Sequence, residues 1–151
     1  MLRRRIVTCL CACTLLARVA AEEVSLDRFN RVEIAPTKTS IYIGSVSMTL
    51  PVFERQNGTY SSTYTAKVFP YFFYNEHGRL SIDVSDEDLR RLERGETINL
   101  KGRGVSSDGG IRPVEGRAVP ADARSGKIKV RVFVSKKIQL IFNTTYRFVE
   151  R

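Results

Sequence analysis

KIKVRVFVSKKIQLIFNTTYRF, residues 127–148, decides the fold class. In its first half Ile128, Val130 and Val132 fall on one face of an extended chain and Lys127, Lys129 and Arg131 on the other, a period of two that suits a strand with one dry and one wet side. In its second half Ile138, Leu140, Phe142, Tyr146 and Phe148 share a face with Thr144, while Gln139, Asn143, Thr145 and Arg147 face away. The short SKK link makes the two halves an antiparallel hairpin.

Working outward, the same period recurs. Arg31-Val32-Glu33-Ile34 alternates until Pro36 and Thr37 end it, and Leu80, Ile82 and Val84 alternate with Arg79, Ser81 and Asp83. Residues 97–105 and 111–119 read as two further strands, separated by SSDGG and followed by the loop PADARSG. Asn57-Gly58 lies between two strand-like runs and predicts a type I′ hairpin turn, which needs positive φ at both central residues. In TSIYIGSVSMTL, residues 39–50, the apolar phase slips by one near Gly44, as expected of a β-bulge or of a strand bending from one sheet into another.

One helix is predicted. Ser85 is its N-cap, Asp88 completes a capping box, Asp86 and Glu87 put negative charge in the first turn, and Gly95 stops it. This accounts for the acids at 83–88 without a metal, since they lack the ladder spacing and glycine of a calcium loop. The expected fold is therefore all-β with one short helix: an antiparallel β-sandwich of about eight or nine strands, with a closed β-barrel as the second choice.

The first 21 residues read differently. Arg3, Arg4 and Arg5 precede an apolar run of 11 residues, Ile6–Leu16, and Val19 and Ala21 are the small residues of a cleavage site. That is the pattern of a secretory signal peptide cut after Ala21, leaving residues 22–151 as a single exported β domain, periplasmic or extracellular. A transmembrane helix needs roughly 20 apolar residues, so no transmembrane anchor is expected. Lipidation at Cys13 is disfavoured by the short apolar run before it and by the cysteine where Ser, Ala or Thr is usual. Cys9, Cys11 and Cys13 are the only cysteines and all lie in the removable segment, so the processed chain has neither disulfide nor thiol chemistry.

Charge is unevenly spread. The net charge of +9 falls to +5 when Arg3, Arg4, Arg5 and Arg18 leave with the signal. Residues 22–95 carry nine basic and eleven acidic side chains, whereas residues 96–151 carry twelve and five, so the basicity belongs to the C-terminal half. Such asymmetry speaks to partners rather than to fold. Export and the absence of nucleic-acid-binding motifs exclude nucleic acid as the expected partner, leaving anionic cell-envelope polymers or lipid headgroups, with Lys127, Lys129 and Arg131 as the candidate surface. The sequence is silent on oligomeric state.

VFPYFFYNEHG, residues 68–78, is apolar on both strand faces. The expectation is a core or sheet-covering strand, ended by a turn at residues 75–78. The alternative is an exposed platform using Phe72 and Tyr74, with Tyr60 and Tyr64 from the preceding strand, and Pro70 favours an edge position. His77, the only histidine, sits beside Glu76 in the expected turn. No GxSxG, HExxH, P-loop or GxGxxG motif accompanies it, so no catalytic residue, cofactor or metal site is assigned. Asn57 and Asn143 match the glycosylation acceptor pattern.

The functional expectation is a non-catalytic exported interaction or structural module using its basic strand face. A small barrel carrying an apolar ligand is second, on the strength of the many large inward-facing side chains. An enzyme of unknown type is third, with the position of His77, in a cleft or on a loop tip, as its discriminator.

Overall fold

The computed structural model describes residues 25–150. The expected signal segment, its expected cleavage site after Ala21 and Cys13 lie outside the described residues. The strands are β1 (Arg31–Ile34), β2 (Thr37–Ile41), β3 (Gly44–Thr49), β4 (Phe53–Gln56), β5 (Thr59–Phe69), β6 (Glu76–Asp83), β7 (Ile98–Ser106), β8 (Ile111–Pro120), β9 (Ser125–Phe133) and β10 (Gln139–Phe148). Helix α1 spans Asp86–Glu93, and two 3₁₀ turns span Leu26–Phe29 and Phe72–Tyr74. Every ladder is antiparallel.

The all-β architecture with one short helix is what forms, and the closed barrel, the second of the two expected arrangements, replaces the sandwich. From β5 the pairing runs through β6, β7, β8, β9 and β10 to β1, then to β4, which returns to β5. Closure rests on Val32 opposite Phe148 and Ile34 opposite Tyr146. Along β5, β4 pairs with residues 59–61 and β3 with residues 65–69, so β3 and β4 are two pieces of one line broken at Leu50-Pro51-Val52. In the same way β2 follows β1 beyond Pro36. A proline has no N–H to give a ladder, which is why two of the eight walls are interrupted.

The hairpin β2–β3 corrects the reading of residues 39–50. Ile41 pairs with Gly44 across a two-residue turn, Tyr42-Ile43. The phase slip marks a reversal of the chain rather than a bulge, and Gly44 supplies the φ of 122° the reversal needs. Asn57-Gly58 forms its hairpin as predicted, with φ of 50° and 81°.

The two barrel ends differ. At one end the 3₁₀ turn at Leu26–Phe29 and α1 form a floor. Ser85 Oγ accepts the Asp88 N–H at 3.1 Å and donates to Asp88 Oδ2 at 2.8 Å, so the acid satisfies the cap's hydroxyl rather than its backbone. Leu89 and Leu92 turn into the barrel with Phe29, Phe53, Tyr60 and Ile98, and Leu89 is wholly buried. Each such side chain stabilises the fold by about 1.5–3 kcal/mol. Arg55 bonds the Val84 carbonyl at 3.0 Å and Asp86 at 2.7 Å, and Arg28 pairs with Glu93, which fastens the floor to the wall. The other end is ringed by the tips of β2–β3, β5–β6, β7–β8 and β9–β10, and among the described residues no α-helix covers it.

Candidate functional site

Alternation sends Leu100 and Gly104 of β7, and Val114, Gly116 and Ala118 of β8, to the inside of the barrel. Two of these positions have no side chain and one has only a methyl. A Cβ built on Gly116 would meet Leu100 and the Lys129 carbonyl at 3.4–3.6 Å, ordinary contact, and one on Gly104 would sit 3.4 Å from the Arg112 Cβ. These glycines therefore leave space that a side chain could occupy, rather than letting two backbones touch. The outcome is a cavity of about 770 Å³, lined by Val46, Met48, Val114, Val130, Leu140 and Phe142 among other apolar side chains. It begins above the floor and reaches the unplugged end, where Tyr42, Ile43, Tyr71, Tyr74, Val134 and Ile138 border it.

Polar groups on this lining are few and concentrated near the mouth. Arg112 donates to Glu76 at 2.8 Å and the Tyr64 hydroxyl donates to the same carboxylate. The hydrogen bond to Glu76 raises the Arg112 pKa above its ordinary value. Deeper in, Tyr60 donates to the Phe29 carbonyl, and the Tyr146 hydroxyl has no partner among the described residues.

Burial raises the pKa of Tyr60 and Tyr64, Glu76 adding to the rise at Tyr64, and pushes Tyr146 up to about 12, with the Asp122 carboxylate contributing. A phenol ionises near pH 10 in the unfolded chain, so between there and the folded values the unfolded state binds fewer protons and stability must fall with rising pH. The contribution is whole below pH ~10 and is lost above it. Alkaline titration followed by tyrosinate absorbance should show these three hydroxyls ionising only as circular dichroism reports unfolding; free ionisation of all six tyrosines in a folded barrel would contradict the buried placement.

The aromatic run is not a core strand. β5 ends at Phe69, the Phe69-Pro70 bond is cis, and residues 72–74 wind into a 3₁₀ turn at the mouth. Phe72, Phe73 and Tyr74 are exposed, packed on neighbours rather than on the core: Phe73 and Tyr74 at 4.5 Å, Phe69 and Phe72 at 5.9 Å. Asn75 Oδ1 accepts the Val68 N–H at 2.8 Å and ties the ends of the loop. The platform reading fits Phe72 and Tyr74, but Tyr60 and Tyr64 are inside the barrel and do not join it. The turn lies at residues 70–75, not 75–78, because Glu76 already opens β6. His77 therefore stands on a strand, opposite Thr65, with an exposed side chain that forms no hydrogen bond among the described residues. Ile138, expected inside β10, lies in the preceding turn and is exposed.

Lys127, Lys129 and Arg131 project outward from β9 as predicted. The register adds what the sequence does not show: Arg117 lies opposite Lys129, and Lys101 and Arg103 follow on β7, with Glu115 the single acid among them. Six basic side chains thus cover one wall, and none forms a salt bridge among the described residues. This wall is separate from the mouth that holds Phe72 and Tyr74. Asn57 is in its exposed turn and Asn143 faces outward on β10. Among the described residues no cluster of His, Cys, Asp or Glu has the arrangement of a metal site, and no helix is long and apolar enough to cross a membrane.

No protein-family profile, no curated protein and no solved structure matches this chain.

Proposed function

We propose that the processed chain is an exported, non-catalytic carrier, periplasmic or extracellular, that holds one apolar molecule of the acyl-chain type inside its barrel. The observation that carries this reading is the cavity of about 770 Å³, apolar in its lining, floored at one end and, among the described residues, unplugged at the other. Ligand pockets usually start near ~300 Å³, and an apolar space this large earns no packing energy when empty. The Tyr64–Glu76–Arg112 group near the mouth suits a hydroxyl, ester or amide at the end of the chain, because its own charges already cancel.

The test is displacement of a fluorescent apolar probe by a homologous series of straight-chain alcohols. Each added methylene should tighten binding by about fourfold, the value of ~0.8 kcal/mol per buried CH₂, until the cavity is full and the gain stops. Absence of saturable probe binding, or affinity independent of chain length, would refute carriage.

The wall of β7–β9 supports a second reading, an adhesive face for an anionic cell-envelope polymer. Six unpaired cations on one surface favour it. Binding of the processed chain to such a polymer should weaken steeply with salt, and Lys127→Glu, Lys129→Glu and Arg131→Glu together should reduce it by at least about tenfold. Binding indifferent to both would remove this face from consideration.

A further inference from the structure

The mouth of the barrel differs from the rest of the surface in two independent ways. It gathers exposed apolar side chains from three separate tips: Tyr42 and Ile43 from β2–β3, Phe72, Phe73 and Tyr74 from β5–β6, and Ile138 from β9–β10. Tyr42 is fully exposed and Phe73 is 76 % exposed. It is also the electropositive end. Lys136 and Lys137 directly precede Ile138 on its tip, and Lys38 and Lys67 point outward from β2 and β5, all four exposed and outside any salt bridge among the described residues. At the floor the acids on or beside α1 are matched by arginines: Asp86 pairs with Arg55, Glu87 with Arg94, Asp88 with Arg91, Glu93 with Arg28 and Glu96 with Arg91 and Arg94. Among the described acids only Glu76 and Asp108 lie near the mouth. The first is held by Arg112 and the second accepts the Ser106 hydroxyl and the Gly110 N–H.

We propose that the mouth seats on a bilayer surface containing anionic lipid, with the rings of Tyr42, Phe72, Phe73 and Tyr74 and the side chains of Ile43 and Ile138 entering the headgroup region and Lys136 and Lys137 contacting lipid phosphates. Rings and aliphatic tips flanked by lysines match the interfacial zone, where amphipathic aromatics and long cationic side chains are both favoured. The rim lysines, which form no salt bridge among the described residues, orient the molecule, since an anionic surface attracts the mouth more strongly than the floor, whose charges are paired with one another. Protruding tips, rather than a flat patch, enter a fluid surface with no need for a complementary shape.

The wall beside the mouth is less fully bonded than the rest. Ala35 and Thr37 are the last residues of the β1–β2 line bonded to β10, through the Ala35 N–H to the Thr145 carbonyl at 3.0 Å and the Thr37 hydroxyl to the Asn143 carbonyl at 3.1 Å. Beyond them no hydrogen bond among the described residues joins β2 to β10. The mouth, with this unbonded stretch of wall beside it, gives an acyl chain a route between bilayer and cavity. The route rests on the carrier reading, whereas the docking does not.

The experiment uses the processed chain with vesicles of phosphatidylcholine alone and of phosphatidylcholine with phosphatidylglycerol. The chain contains no tryptophan, so Phe73→Trp supplies a single reporter. Its emission should shift to the blue with anionic vesicles and much less with neutral ones. Phe72→Ser with Phe73→Ser, and separately Lys136→Glu with Lys137→Glu, should each lower cosedimentation by about tenfold or more. Charge reversal at Lys127, Lys129 and Arg131 should lower it less than the rim lysine pair does. The Gly104→Leu, Gly116→Leu variant should bind vesicles like the wild type, which separates failure of docking from failure of carriage. The proposal is overturned by no vesicle binding, by binding that ignores both rim pairs, by a larger loss from the wall than from the rim, or by a rim-dependent dimer in place of vesicle binding, which would make a second copy the occupant.

Discussion

Gly104→Leu combined with Gly116→Leu is expected to lower the affinity for an apolar probe by tenfold or more while leaving the barrel folded. Both positions face the cavity, and a Cβ at either meets its neighbours at 3.4 Å or more, so the backbone need not move to receive one. The added branched chains occupy the volume the ligand would use. Glycine in a strand interior costs roughly 0.5–1 kcal/mol relative to alanine, and leucine buries new apolar area, so the urea midpoint should hold or rise. The two readouts separate the explanations: lost binding with retained stability shows the cavity is the ligand site, while lost binding with lost stability shows only an overpacked barrel. Unchanged probe binding in a stable variant would place the ligand elsewhere.

Legibility followed the range of the interactions. The hairpin of residues 127–148, the turn at Asn57-Gly58 and the helix capped by Ser85 were legible because local periodicity and turn chemistry fix each one. Closure was not legible. Alternation says which side chains share a face but not how the sheet curves, and a sandwich and a barrel ask the same pattern of a strand. The difference lies in β1 meeting β10, more than a hundred residues apart in sequence. Pro36 and Pro51 hid it further, because they cut two wall strands into four short pieces.

The site was harder to see for the same reason. Glycines 104 and 116 stand in phase with Val114, Ala118 and Leu100, a signal available in the sequence, but a small inward residue means a cavity only if no opposite wall fills it. Residues 68–74 misled in the other direction. Seven consecutive residues that are apolar or aromatic read as a buried strand, yet Pro70 ends the ladder and turns the rings outward. The basic triad on β9 was read directly, whereas Arg117, Lys101 and Arg103 joined it only through cross-strand register.

Leu89→Ala should cost about 2–5 kcal/mol, the range for truncating a buried leucine. The upper part of that range is expected, because the hole it leaves would open toward space that is already empty and the surroundings would have little reason to collapse into it. Residues 22–151 contain no cysteine for a cross-link, and a domain of this size is stable by roughly 5–15 kcal/mol in all. One side chain on an eight-residue helix therefore controls a large share of the total, and the urea midpoint should drop accordingly at unchanged slope. Lys136→Ala, on the exposed rim, should stay within ±0.5 kcal/mol. A saturating ligand should return part of the loss, about 2.7 kcal/mol at a hundred times its dissociation constant, since it binds only the folded barrel. If Leu89→Ala unfolds at the wild-type midpoint, α1 does not seal the barrel and the cavity runs through from end to end. That geometry would leave a bound chain wet at both ends and remove the physical basis for retention.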